Sequence, residues 1–249
     1  MKLVYSLLFV LLHFAGMAQS EQALIAEAAT LEKNLNEAAA LEKWKSVARI
    51  NPANYTALCK SSELYSRLGI GQPTTKSKMS YYNTGKNYAD AAIKLKPAEA
   101  EGYYVLSVAM GRLALTGPNK DKIAAVKAIK TNAEKAIRIN PAHGRAWHVL
   151  GKWHYEVSGL NFVERTAVKL FYGGFPEASI EASIQAYEKT QRLEPNFALN
   201  HLELAKAYHR AGQDAKAKAL LQRLAALPNK TGDDNRVKQE GKSLMKELD

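Results

Sequence analysis

A chain of 249 residues, 47% apolar and 24% charged, has the composition of a folded globular protein, which excludes disorder along its whole length. Lys and Arg outnumber Asp and Glu by 35 to 24, a formal charge of +11 that favours anionic partners such as acidic peptides, membrane headgroups or polyanions. Cys59 is the single cysteine, so an internal disulfide and a cysteine-pair zinc site are both excluded. It reads as a small apolar helix residue.

Residues 1–18 form a separate object. Lys2 gives a minimal positive start, Leu3 to Leu12 is an apolar run, and Gly16-Met17-Ala18 supplies small residues for cleavage. That order reads as a secretory signal peptide cut after Ala18, and the mature protein is expected to be periplasmic or secreted. The run is short against the ~20 residues that span a bilayer, and His13 interrupts it. Cleavage removes Lys2 and no acid, leaving +10.

The rest of the chain is punctuated by prolines at helix ends: Asn51-Pro52, Lys96-Pro97, Asn140-Pro141, Glu194-Pro195 and Leu227-Pro228. Proline lacks the backbone donor and disfavours helical geometry in the residue before it, so each is a stop. Their spacings of 45, 44, 54 and 33 residues fit a ~34-residue helical hairpin carrying insertions in three units.

In chain order, the helix before Pro52 places Ala40, Trp44 and Val47 on one face. After Pro52 the offsets six, nine, ten and thirteen give Leu58, Ser61, Ser62 and Tyr65. Gly69 to Lys76 reads as a loop, without the second glycine of a phosphate-binding loop. Gly85, Ala89 and Ala92 then precede Pro97, and Tyr103, Leu106, Ser107 and Met110 follow it. Ile129, Ala133 and Ala136 lead to Pro141. The string Trp147-His-Val-Leu150-Gly151-Lys-Trp-His154 beyond it is close to the tetratricopeptide pattern W-x2-L-G-x2-Y.

The longest insertion, Val157 to Ala178, contains an amphipathic pattern and a Gly173-Gly174-Phe175-Pro176 turn. Ser183, Tyr187 and Thr190 precede Pro195; His201, Leu204, Ala205 and Tyr208 follow it; Ala217, Leu221 and Leu224 close the last unit. The expected fold is all-α: a right-handed α-solenoid of tetratricopeptide-like hairpins in one domain over 19–249. Repeats fall at about 21–54, 55–99, 100–143, 144–197 and 198–230, with a capping helix at 233–249 covering the last apolar edge.

The run Gly151-Lys-Trp153-His-Tyr155-Glu-Val157-Ser158-Gly-Leu160, then Glu164-Arg165, Leu170-Phe171, Phe175-Pro176 and Glu194-Pro195-Asn196, resembles the regulator of microtubule dynamics proteins. The likeness covers roughly residues 85–248. It implies a non-catalytic repeat domain, associated in animal members with microtubules and organelle membranes, and in some with phospholipid binding. The signal peptide is a departure, because it would deliver this chain away from tubulin. An exported relative reconciles the two.

No enzyme is expected, and no cofactor or metal. His148 and His154 lie on different helical faces, and there is no His-Glu-x-x-His, no Gly-x-Ser-x-Gly and no dinucleotide fingerprint. Nucleic acid is not expected either, since no reading motif accompanies the charge.

A partner would lie along the first helices of the repeats, which line the concave side. The residues placed there include Arg112, Arg145, His148, Lys152, Tyr155, Lys206 and Arg210. Cations converging on one groove repel unless an anion is present, and arginine suits bidentate capture of a carboxylate. The expected partner is therefore a protein or peptide of acidic character, with anionic phospholipid as the alternative. Phe162, Leu170, Phe171 and Tyr172 would either wall a lipid tail or fill the gap between two long helices.

Overall fold

A computed structural model describes residues 21–116 and 119–248. The signal segment 1–18 lies outside the described residues. Twelve α-helices and one short 3-10 turn make up the described chain, and no strand occurs in it. The helices are α1 (21–33), α2 (Glu37–Ile50), α3 (Tyr55–Leu68), α4 (Thr75–Leu95), α5 (Ala100–Thr116) and α6 (Asn119–Ile139). They continue as α7 (Gly144–Ser158), α8 (Phe162–Tyr172), α9 (Ile180–Leu193), α10 (Ala198–Arg210), α11 (Asp214–Ala226) and α12 (Asp234–Leu248).

The proline stops act through one repeated turn. Asn51, Lys96 and Glu194, each directly before its proline, leave the helix at φ −128°, −136° and −133°. Each still donates its N–H to the carbonyl four residues back. Its own carbonyl then accepts the N–H three residues on: Asn54 to Asn51 at 2.9 Å, Glu99 to Lys96 at 3.2 Å, Phe197 to Glu194 at 3.1 Å. His143 to Asn140 repeats this at 3.0 Å. The next helix is capped at once in two of these turns, where Asn54 Oδ1 accepts from Ala57 N–H and His143 Nδ1 from Ala146 N–H. The final hairpin turns differently, with Gly212 at φ 71° supplying the left-handed residue between α10 and α11.

The hairpins α3–α4, α5–α6, α7–α9 and α10–α11 stack side by side, and each packs on the next. Three successive clusters form the core. Trp44, Val47 and Leu64 belong to the first, Ala89, Val105 and Ala136 to the second, and Tyr187, Leu204 and Leu224 to the third. Small residues set the spacing. A β-carbon on Gly151 would fall 2.8 Å from the Tyr187 ring, so α7 and α9 meet at a distance only glycine allows. Trp44, Ala89, Ala133 and Tyr187 are all buried between helices. Val237 and Leu244 of α12 are buried against the last hairpin, with Met245 and Leu248 beside them.

The insertions have three different fates. In the second unit a 3-10 turn at Gly69–Gly71 leads into α4, whose 21 residues start from a Thr74–Ser77 capping box. In the third unit the extra length goes into α6, also 21 residues. The longest insertion forms α8, which shares no extended contact with any helix from α2 to α12.

Candidate functional site

Arg145 on α7 reaches Glu63 on α3, 82 residues away, at 2.6 Å. Such a contact requires the first helices of the hairpins to face a common concavity. Two ion-pair networks occupy it. In the first, Glu63 receives Arg67 at 3.1 Å and Arg145 at 2.6 Å, while Arg67 also holds Glu37 at 2.7 Å and Arg145 holds Glu194 at 3.2 Å. Lys60 extends this network to Glu32 at 2.9 Å. In the second, Lys152 pairs with Glu156 and Glu203, both at 2.8 Å, and Lys206 with Glu203 at 3.0 Å and Glu240 at 2.6 Å. Arg236 on α12 completes it through Glu240 at 3.0 Å and Asp233 at 2.7 Å.

Each network holds four carboxylates and three cations. The concavity is therefore an alternating lattice, and its acids come from the chain itself. Burial alone would raise the Glu203 carboxyl, but Lys152 and Lys206 overcome it and hold the group down to about 2. Burial likewise opposes the Arg145 charge, and Tyr104, Glu63 and Glu194 raise its pKa instead.

His148 is buried, in tilted ring contact with Tyr187 and Phe197, with Nδ1 3.0 Å from Asn200 Oδ1. Asn200 donates its amide to the Tyr187 carbonyl, so its oxygen accepts from His148 and fixes the imidazole tautomer. Burial pushes His148 down to about 4, which keeps it neutral. Arg210 donates to the Tyr155 carbonyl at 2.6 Å and lies 3.3 Å over the Tyr155 ring, clamping the end of α7. His148 is thus held within the packing, whereas Arg210, though clamped to Tyr155, remains exposed.

Arg112 differs from every other cation placed in the groove. Among the described residues it makes no hydrogen bond and no ion pair; it is half-buried, and Tyr82, Asp233, Arg236 and Glu203 act on it electrostatically. Burial lowers its pKa.

The insertion residues correct an expectation. Phe162 is 83% exposed and Leu170 74% exposed, so neither walls a cavity nor fills a gap between helices. The reason is that α8 stands off the solenoid between two glycine-bearing connections, Gly159-Leu160 and Gly173-Gly174, instead of folding back on it. The side chains of Phe171 and Tyr172 lie outside the described ones.

Residues 24–249 match the family described as Regulator of microtubule dynamics protein 1-3. The chain belongs to that family. A relative in Xenopus laevis, Regulator of microtubule dynamics protein 3, is 30% identical over 71% of this chain and 38% of its own length. Regulator of microtubule dynamics protein 1 of Mus musculus is 25% identical over 64% of this chain and 52% of its own. The chain thus spans between a third and about half of these relatives. Among solved structures, a thermophilic tetratricopeptide-repeat protein from Thermus thermophilus superposes with a TM-score of 0.65 at 17% identity, over 90% of this chain and 97% of that one. The all-helical solenoid expected from the proline spacing is therefore the fold of this regulator of microtubule dynamics homologue.

The sequence puts Glu63, Glu156 and Glu203 on the same helices as the groove cations, but it does not give the pairing between helices. Glu203–Lys206 and Lys152–Glu156 were signalled by their helical spacings of three and four residues. Arg236–Glu240 has the same four-residue spacing, whereas Glu37 and Glu194 carry no such signal, because the fold alone brings them to the concavity. Cys59 is buried, and burial pushes its thiol up to about 12, far from a nucleophile's range. Among the described residues no group of three His, Cys, Asp or Glu could hold a metal ion, and no helix is long and apolar enough to cross a membrane.

Proposed function

We propose that this protein is a non-catalytic interaction module that receives a polypeptide segment of a partner along its concave surface. The supporting observation is the lining. Arg145, Lys152 and Lys206 remain partly open to solvent while each is paired with carboxylates, so donors and acceptors alternate along the inner helices. Backbone amides and mixed side chains can exchange water for such groups one bond at a time. An acyl chain would desolvate the same ion pairs and return nothing.

Because the chain pairs its groove cations with its own carboxylates, a partner's acidic residues would compete with those carboxylates for Arg145, Lys152 and Lys206. Export by residues 1–18 is part of this reading, and the partner is then met in the periplasm or outside the cell. The microtubule role in the names of the animal relatives stays with those proteins. A phospholipid-binding reading draws on a separate feature, the exposed Phe162 and Leu170 of α8.

Photo-crosslinkers at positions 108 and 206, on α5 and α10, would be placed in the protein in its native compartment, with a second set at 162 and 170. Capture of one polypeptide from 108 and 206 supports the proposal. Capture confined to α8, or a lipid retained in native mass spectrometry with no polypeptide captured from the groove, would overturn it.

A further inference from the structure

The last turns of α9 and α11 end beside the first turn of α10, and a cleft of about 450 Å³ opens between them. That size is within the roughly 300–1,000 Å³ of small-molecule sites. Arg192 enters it from α9, Arg223 from α11 and His201 from α10, with Gln191 beside them. Pro195 and Leu227 supply apolar wall, and no carboxylate lines the space.

Each arginine has an ordinary reason to be where it is, since a cation in the last turn complements the negative end of its helix. That reason accounts for them one at a time. It does not account for two guanidiniums on one cleft without an acid, where they repel. In the concavity Glu203 settles the meeting of Lys152 and Lys206, at 2.8 and 3.0 Å. Here nothing does: among the described residues Arg192 and Arg223 make no hydrogen bond and no ion pair.

His201 is the buried member of the set. It is 3% exposed, and its Nδ1 donates to the Phe197 carbonyl at 3.1 Å. A carbonyl only accepts, so the neutral ring carries its proton on Nδ1 and leaves the Nε2 lone pair without a partner among the described residues. Burial and the Arg223 charge hold His201 below the ordinary imidazole range, with the Phe197 bond opposing. An anion in the cleft offsets the arginines, so Nε2 can take up a proton and donate to it. The charged groups facing His201 there are Arg192 of α9 and Arg223 of α11; α7 and α12 contribute no lining residue, and Lys238 of α12 is spent on the Leu227 carbonyl.

We propose that this cleft binds a tetrahedral dianion, the phosphoryl group of a small soluble ester, through Arg192, Arg223 and His201. Three donor groups from three helices suit the spread oxygens of a phosphoryl group, whereas a planar carboxylate occupies one arginine fork. Two guanidiniums balance its double charge. The volume left beyond the anion, walled by Pro195 and Leu227, admits the carbon body of the ester. The cleft is separate from the concave lining, so this site and the polypeptide groove stand or fall independently.

The test is calorimetric titration of the purified protein at constant ionic strength with sulfate, with glycerol 3-phosphate, and with vesicles of anionic phospholipid. Sulfate keeps both charges across the neutral range, whereas a phosphate ester titrates at about 6, so the pH dependence is read with sulfate. Sulfate should saturate one site, and glycerol 3-phosphate should compete for it. Binding raises the His201 pKa and takes up a proton, so sulfate affinity should rise by up to about tenfold per unit as pH falls through neutral. In 15N-labelled protein the His201 Nε2 signal should change from unprotonated to protonated on saturation. R192Q and R223Q should each weaken binding about tenfold with the melting temperature unchanged, since both side chains are exposed. R49Q removes an exposed charge on α2 and should bind as the parent does. No saturable binding of either soluble probe, equal weakening in R49Q, or a sulfate affinity indifferent to pH would each overturn the site. Binding confined to the vesicles would overturn it as well.

Discussion

The backbone N–H of Gly232 donates to Oε1 of Glu37 at 3.1 Å, although 195 residues separate them. The turn that precedes the last helix therefore touches the first residue of α2, and the solenoid closes on itself. Glu37 holds Arg67 at 2.7 Å with the same oxygen, so one carboxylate joins α2, α3 and the C-terminal turn. Glu37→Ala should free the Gly232 amide and leave Arg67 with Glu63 alone. The expected cost is about 1–3 kcal/mol in urea unfolding, with hydrogen exchange at Gly232 accelerated more than at the core amides of α9. Unchanged exchange at Gly232 would show that the ring is held shut elsewhere.

Acid should loosen the protein in two stages. The folded His148 titrates near 4, below the 6.5 of the free side chain, because burial disfavours its charged form and the Lys152 and Arg145 charges add to this, with the Asn200 hydrogen bond and Glu203 opposing. Between those values the unfolded chain binds the extra proton, so stability rises with pH through this window and is lost as pH falls through it. The full effect is about 3 kcal/mol. Glu203, at about 2 against 4.5 when free, adds a second loss in the same direction at lower pH. Urea titrations in a series of buffers from neutral to acid should show both, and His148→Gln should flatten only the upper one.

The Tyr187 hydroxyl is buried and has no hydrogen-bond partner among the described residues. A phenol in that position loses its water and gains nothing, so Tyr187→Phe should hold or raise stability, by up to about 1 kcal/mol. Tyr187→Ala instead removes the ring that packs on Gly151 and His148, and should cost about 3–5 kcal/mol. Gly151→Ala forces a methyl within 2.8 Å of the same ring and should cost about 1–3 kcal/mol. Thermal melts of the three variants check the ordering Phe above Gly151→Ala above Tyr187→Ala.

The solenoid was legible because it is written locally. A proline expels its predecessor from the helix wherever it stands, and small residues at fixed offsets mark the faces that touch, as Ala89 and Gly151 do. The groove cations were legible for the same reason, since Arg112, Arg145, Lys152 and Lys206 fall at set positions on the first helices. Their state was not. Arg145 is neutralised by Glu63 and Glu194, 82 and 49 residues away, and no helical spacing announces such a partner. The closure through Glu37 is equally silent, because it depends on the summed rotation of the four hairpins between α2 and α12. The insertion misled for a further reason: an amphipathic pattern in Phe162 to Tyr172 says that one face is apolar and does not say what covers it.

That last point can be measured. If α8 were a structural filler, removing its apolar side chains would open a cavity and cost several kcal/mol. Phe162 and Leu170 are instead 83% and 74% exposed, and among the described residues α8 shares no extended contact with any helix from α2 to α12. Phe162→Ser with Leu170→Ser should therefore change unfolding stability by less than about 0.5 kcal/mol per site, as surface substitutions do. Solubility should rise, because two large apolar groups leave the surface. A loss of about 2 kcal/mol or more in the double variant would mean that α8 folds against the solenoid in solution, and its apolar face would then belong to the core.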